Sequence, residues 1–335
     1  MKPDDSVPAV AMPPWRKGDE RGMANTIGPA TWRRAAQHLT TPGARCYELS
    51  HPITNTMPSS PFSKTLEIVP RPTRGMRNAV HASNMETLTG DQGAQGTHMD
   101  ALGHFGAVAQ PWDGGGEFPV ERAIYYGGFT QREVKPRPDA TLDRLGIDKV
   151  PPILTTAVLL DAKAHVGGGK TLGAGTTITT QHIEAMLQAQ GLADRGILPG
   201  DVVYIHTGWG EYWQDPDTEK RYYTEGPGLG YDAAQYLAEK AVVVVALDNP
   251  FTDAVNHGQL KGAAPRASGY PEGMPFAIHH HFLVQAGIHQ IQNAKLDELA
   301  RDGVWLSCTI ILPLRVRGGC GSLVRPIAIG SSQAA

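Results

Sequence analysis

The segment Gln95-Gly96-Thr97-His98-Met99-Asp100-Ala101-Leu102-Gly103-His104-Phe105 packs two histidines and one aspartate into seven positions. His98 and Asp100 are two residues apart, so in extended backbone their side chains share a face. An imidazole nitrogen and a carboxylate oxygen placed that way can reach one cation at about 2.0–2.2 Å each. His104 follows Asp100 by four residues. A turn beginning at Ala101 would stand it beside such a cation without binding it. There, an imidazole with an ordinary pKa of about 6.5 is suited to take a proton from water. The competing reading is a polar loop with unrelated histidines.

A second cluster, His279-His280-His281, precedes the apolar run Phe282-Leu283-Val284. In a helix only one or two of three adjacent side chains can face a given site, and an exposed or capping run is the alternative. Two His-rich segments in one chain favour convergence on one metal. Phe105, Trp209, Tyr212 and Trp213 lie near these motifs and can line an apolar pocket, or pack as ordinary core. Arg325 follows a Gly-rich segment, where it can hold a substrate carboxylate or form a structural ion pair.

The elements that must position these residues are short. Gly and Pro number 39 and 26 of 335 residues, which means many turns and excludes a helical bundle. Hydrophobic residues make up 41% and charged residues 19%, enough for a core and against bulk disorder. Near-continuous apolar runs at Ala157–Asp161, Val202–Thr207, Ala241–Asp248 and Trp305–Leu314 predict strands covered on both faces. Between them, the patterns predict helices at Tyr231–Lys240, at Lys295–Arg301 and after a Thr180 cap, with Ile183, Met186 and Leu187 on one stripe. This is a mixed α/β domain over residues 46–330. Residues 1–45 read as an N-terminal arm with a short helix at Thr31–Ala36. That arm is expected to pack on a neighbouring copy, in a homodimer or higher homo-oligomer.

Several classes are excluded. The net charge is −3 and no Lys/Arg run exceeds two residues, so no nucleic-acid patch is expected. The longest apolar run, Ala241–Leu247, is too short for a bilayer, and the acidic, Pro-broken N-terminus has no secretory h-region. Cys46, Cys308 and Cys320 show no C-x2-C spacing, which suits reduced thiols and a cytoplasmic location. Gly167-Gly168-Gly169-Lys170-Thr171 lacks the earlier glycine of a phosphate loop, Ala164 standing there. Gly228-Leu229-Gly230 lacks the preceding strand of a dinucleotide fold. No G-x-S-x-G elbow occurs.

Gly96–Phe105 resembles the H-x-G-T-H-x-D-x-x-x-H signature of the metal-dependent cyclase-like hydrolases, which include kynurenine formamidases, isatin hydrolases and a trans-dienelactone hydrolase group. The resemblance runs along most of the chain. Gly18–Asn25, the first-strand segment Tyr47–Ile53, Gly200-Asp201-Val202-Val203 leading to His206-Thr207-Gly208-Trp209, and Arg317–Pro326 are all similar to family segments. It implies a single α/β domain of the swivelling β/β/α type, with a mixed central sheet and surrounding helices. It also implies that His98 and Asp100 bind metal, that His104 is the acid/base, and that His280 is a late ligand, twelve residues before Gln292. The family's first histidine falls on Ala94 and its late glutamate on Gln292. One divalent ion, Zn or Mn, held by His98, Asp100 and His280 with Gln292 or Gln95 is then more economical than a two-metal centre.

Such an ion activates water and polarises a carbonyl. The expected reaction opens a small cyclic or acyl amide or a lactone. A trans-dienelactone-type esterase is the first alternative. A metal- or ligand-binding protein without activity, favoured by Ala94 and Gln292, is the second.

Overall fold

The computed structural model describes residues 14–333. One nine-stranded mixed sheet forms its centre. In chain order the strands are β1 (Arg45–Glu48), β2 (His98–Asp100), β3 (Ile153–Asp161), β4 (Val202–His206), β5 (Val244–Leu247), β6 (His289–Gln292), β7 (Leu306–Ile311), β8 (Gly321–Leu323) and β9 (Ile327–Gly330). Their spatial order is β1-β9-β7-β3-β4-β5-β6-β2-β8. The four middle strands β3-β4-β5-β6 are mutually parallel. The flanking strands pair antiparallel.

The apolar runs form strands because both sheet faces are covered. Val158, Leu160, Val203, Ile205, Val245 and Leu247 pack on one side, against Ile183, Met186, Leu187, Ala233 and Leu237. Those last five belong to helices α2 (Thr180–Ala189) and α3 (Tyr231–Glu239). The alternate residues Ala157, Leu159, Val202, Tyr204, Val244 and Ala246 fill the second core on the other face. The expected helices and strands are present with small shifts of boundary. The α2 cap is Thr179, whose hydroxyl accepts from the His182 amide, rather than Thr180.

The N-terminal helix α1 spans Pro29–Leu39 and lies against β3 and β7 of its own chain. Arg34 ties it down through Asp201, which also pairs with Arg195. Among the described residues no helix is long and apolar enough to cross a membrane.

Two features depart from this layered body. A two-stranded ribbon, Glu67–Pro70 against Glu86–Thr89, continues into the short pair Arg74–Gly75 and Ala82–Ser83. Every residue from Val69 to Leu88 is exposed. The segment 109–121 is a loop carrying exposed aromatics.

Candidate metal centre and active site

Strand β2 carries the signature and is buried between β6 and β8. In this antiparallel register His98 stands opposite Gln292 and Asp100 opposite Gln290, so all four side chains share one face. The approach of β8 depends on Gly321, where a Cβ would lie 2.7 Å from Gly93 O and 2.9 Å from Met99 O. Any side chain there would push the signature strand away.

His98 Nδ1 lies 2.9 Å from Gly96 O. Donating there fixes the tautomer and leaves Nε2 as the free lone pair. That atom is 3.9 Å from Asp100 Oδ1. Burial lowers the His98 pKa, which favours the neutral ligand form. Asn293, at φ +58, donates to Gly96 O at 2.5 Å and to Tyr223 Oη at 2.9 Å, anchoring the loop before β2.

His279, rather than His280, is the member of the histidine run that meets Asp100. Its Nε2 is 3.6 Å from Asp100 Oδ2 and 3.2 Å from Gln292 Nε2. The reason is Asp253. One oxygen of that buried carboxylate accepts the Ile278 amide, and the other accepts the His279 amide and Nδ1–H. Asp253 thus caps the helical turn Ala277–His279 and aims one imidazole inward. The next residue is rotated by about 100° about the helix axis. His280 accordingly leaves the cluster, sits half-buried beside Gln285 and lines the neighbouring cavity. His281 bonds Gln285 and packs on Tyr231. The segment His280–Ala286 is π-helical, a form often found at functional sites.

Gln292 Nε2 donates to Asp100 Oδ2 at 2.9 Å. Gln95 does not join the cluster: its amide is fully engaged with Ser60 and Ser63. His104 ends the 3-10 turn Leu102–His104, and its ring centroid is 6.4 Å from that of His279. It stands beside the cluster, outside ligand contact. Burial alone would lower its pKa, but the Asp100 charge and then the nearby Cys320 thiol carry it upward. Burial also opposes charge on His279, and the Asp253 hydrogen bond and charge outweigh it.

No cluster of three or more His, Cys, Asp or Glu side chains among the described residues stands already closed at metal-ligand spacing. The donor set nevertheless fits a divalent cation. Asp100 Oδ1 and Gln292 Oε1 are buried without any hydrogen-bond partner, a costly state that needs a reason. Two imidazole Nε2 atoms converge on the same carboxylate. Rotation of the Gln292 amide would exchange its NH2 for the orphaned oxygen. His98, Asp100, His279 and Gln292 then present two nitrogens and two oxygens, which suits Zn or Mn.

Next to this cluster lies a cavity of about 420 Å³, lined by Phe105, Met274, Phe276 and His280. Phe105 and Phe276 lie 5.2 and 5.9 Å from the His279 ring. Trp209 lies elsewhere: it is fully buried among Tyr222, Tyr223 and Phe251, with Nε1 donating to Tyr222 O. Arg325 is on the surface, paired with Glu48 with its side chain 80% exposed. It takes no part in the cluster.

A larger cavity, about 650 Å³, lies away from this cluster. It lies at the carboxyl ends of β3, β4 and β5. His206 there donates from Nδ1 to Asp161 Oδ1 at 2.9 Å, with Nε2 3.9 Å from Asp248 Oδ2. The candidate metal donors do not line it.

Asp253, Asn293 and the Asp161–His206 pair escape a sequence reading. Asp253 precedes His279 by 26 residues, and no local spacing links them. The only available signal was that one of three adjacent histidines would need an orienting partner.

The comparisons with known proteins agree with this architecture. The family described as "Putative cyclase" matches residues 47–254. A solved structure described as a novel cyclase is 25% identical, with a TM-score of 0.74 over 94% of this chain and 95% of that one. Isatin hydrolase A from Ralstonia solanacearum is 21% identical, with a TM-score of 0.55 over 85% and 92% of the two chains. An isatin hydrolase bound to the product analogue thioisatinate is 19% identical, with the same TM-score and the same coverage. These two isatin hydrolases share the fold. No curated protein matches in sequence. The match over residues 47–254, more than half the chain and including the whole signature segment, places this protein in the cyclase family, that of the cyclase-like metal-dependent hydrolases.

Proposed function

We propose that this protein hydrolyses a small cyclic or acyl amide, or a lactone, at a single divalent ion held by His98, Asp100, His279 and Gln292. The observation that carries the reading is the Asp100 carboxylate, approached by the Nε2 atoms of His98 and His279, together with the orphaned buried oxygens Asp100 Oδ1 and Gln292 Oε1. A bound Zn or Mn would lower the pKa of water and polarise the scissile carbonyl.

The chain's own residues supply the rest. Asp253 holds His279 in one tautomer and Gly96 O does the same for His98. His104 moves the proton between water and the leaving nitrogen or oxygen. Phe105 and Phe276 offer an apolar wall to the substrate. The second reading is a trans-dienelactone-type activity, which uses the same donor set and differs in having an oxygen leaving group. A binding role without turnover fits the missing histidine at Ala94. The three cysteines are free, in keeping with a reducing, cytoplasmic setting.

The test is elemental analysis of the purified protein beside His279→Ala and His280→Ala, with an N-formyl aromatic amine and a lactone assayed in parallel. Stoichiometric Zn or Mn, lost in His279→Ala and retained in His280→Ala, is expected. Metal retained in His279→Ala would overturn the ligand set. Metal without turnover of either substrate would favour the binding role.

A further inference from the structure

A cavity of about 580 Å³ opens where the loop Arg16–Arg21 meets Asp148, Lys149 and Arg315. It lies within the size range of small-molecule sites, and none of the candidate metal donors lines it. Its walls carry four bases, Arg16, Arg21, Lys149 and Arg315, and three acids, Asp19, Glu20 and Asp148.

The acids are engaged in holding the fold. Asp19 accepts the Gly22 amide through Oδ2 and Asn25 Nδ2 through Oδ1. Glu20 accepts from Arg144 and from the Leu145 amide. Asp148 accepts the Gly318 amide and pairs with Lys149. Arg16, Arg21 and Arg315 have no ion pair or side-chain hydrogen bond among the described residues. Arg144 neutralises Glu20 from outside the lining, so four bases against the two remaining acids leave two positive charges in excess.

Trp15 adds a further donor. Its side chain lines the cavity, and its buried Nε1–H has no acceptor among the described residues. An indole nitrogen only donates, so it lacks what the guanidiniums lack, an acceptor oxygen. The loop itself is pinned. The Asp19 amide donates to Arg16 O at 3.1 Å across Gly18, which sits at φ +81. The Met23 amide donates to Gly287 O at 2.7 Å, and Gly287 ends the π-helical segment that follows His279.

We propose that this cavity binds a phosphate group carried by a small organic molecule. Guanidinium forks match phosphate oxygens in pairs. A phosphate monoester brings a charge of about −1.5 to −2 near neutral pH, which matches the excess on the walls. A bound anion braces the loop and, through Met23 and Gly287, the segment after His279. The site is separate from the metal cluster and does not rest on the function proposed above.

The test is calorimetric titration of the full chain with inorganic phosphate and with glycerol 3-phosphate, at about 0.15 M salt to screen diffuse attraction. Saturable binding of both is expected, with a matching rise in Tm. Arg16→Gln with Arg315→Gln should weaken it by about ten-fold or more, while the same change at the exposed Arg71 and Arg77 should leave it unaltered. The ligand-free Tm of the first variant should equal that of the wild type, since neither side chain has a bonded partner to lose. If that Tm falls, Arg16→Lys with Arg315→Lys carries the test, because it keeps the charge, loses the fork and should still weaken binding. Absence of saturable binding, or equal losses in the Arg71 and Arg77 variant, would overturn the proposal. Binding unchanged in the Arg16 and Arg315 variants would place the phosphate at the metal cluster and overturn it too. Succinate binding as tightly as glycerol 3-phosphate would overturn the assignment to phosphate.

Discussion

Asp253 Oδ2 lies 2.5 Å from His279 Nδ1 and also accepts the His279 backbone amide. One buried carboxylate thus sets both the helix turn and the ring orientation of the imidazole it serves. Such partners raise ligand basicity and hold the ring for metal.

Asp253→Asn should keep the fold, since an amide oxygen can still accept one backbone N–H. It should weaken metal affinity about 10- to 100-fold. Competition against a chelating dye measures this directly. An unchanged dissociation constant would reduce Asp253 to a helix cap.

Gln292→Glu sets a second buried carboxyl where an amide now donates to Asp100 at 2.9 Å. Two carboxylates so close cannot both ionise without a cation. The metal-free variant should lose about 1–3 kcal/mol of stability, the cost of the lost donor. With metal the added charge should tighten binding. The gap in Tm between chelator and saturating metal should therefore exceed that of the wild type. An equal gap would mean that Gln292 does not reach the ion.

His104→Ala should retain the metal and lose most turnover, because His104 flanks the cluster without joining it. General acid–base groups contribute about a hundred- to ten-thousand-fold, equivalent to about 2.7–5.4 kcal/mol of barrier. Loss of metal in this variant would make His104 a ligand and leave the proton-transfer role to another group.

His206 gives a pH dependence separate from the metal. Burial opposes its charge, yet the Asp161 hydrogen bond and the charges of Asp248 and Asp161 raise its pKa, with Lys163 opposing. Folding therefore favours the protonated ring. Its stabilisation is full below the unfolded value of about 6.5 and disappears as pH rises through the higher folded value. Burial likewise opposes charge on Asp161, but the His206 hydrogen bond and charge depress its pKa. Its contribution stands above about pH 3.9 and is lost as pH falls through the depressed value. Urea unfolding of His206→Gln against wild type should show the largest deficit at about pH 5–6, shrinking toward about pH 9. A deficit independent of pH would mean that the ring contributes only by packing.

The sequence by itself determined the layered α/β body. The apolar runs that became β3, β4, β5 and β7 are near-continuous, short and rich in β-branched residues, as strands covered on both faces require. It also fixed that His98 and Asp100, two apart, share a face wherever the backbone is extended, and the structure supplies the strand. What it could not decide was the partner of that face. His280 had the family spacing to Gln292, but a three-residue helical turn capped by Asp253 rotates His279 inward and His280 out. Gln95 adjoins the signature in sequence, yet Ser60 and Ser63 take its amide. Trp209 and Arg325 sit near motifs in sequence, but one is buried in a separate cluster and the other pairs with Glu48 at the surface. Each outcome rests on contacts between residues 13 or more positions apart. Local spacing fixes which face a side chain takes, and only tertiary packing fixes what stands opposite.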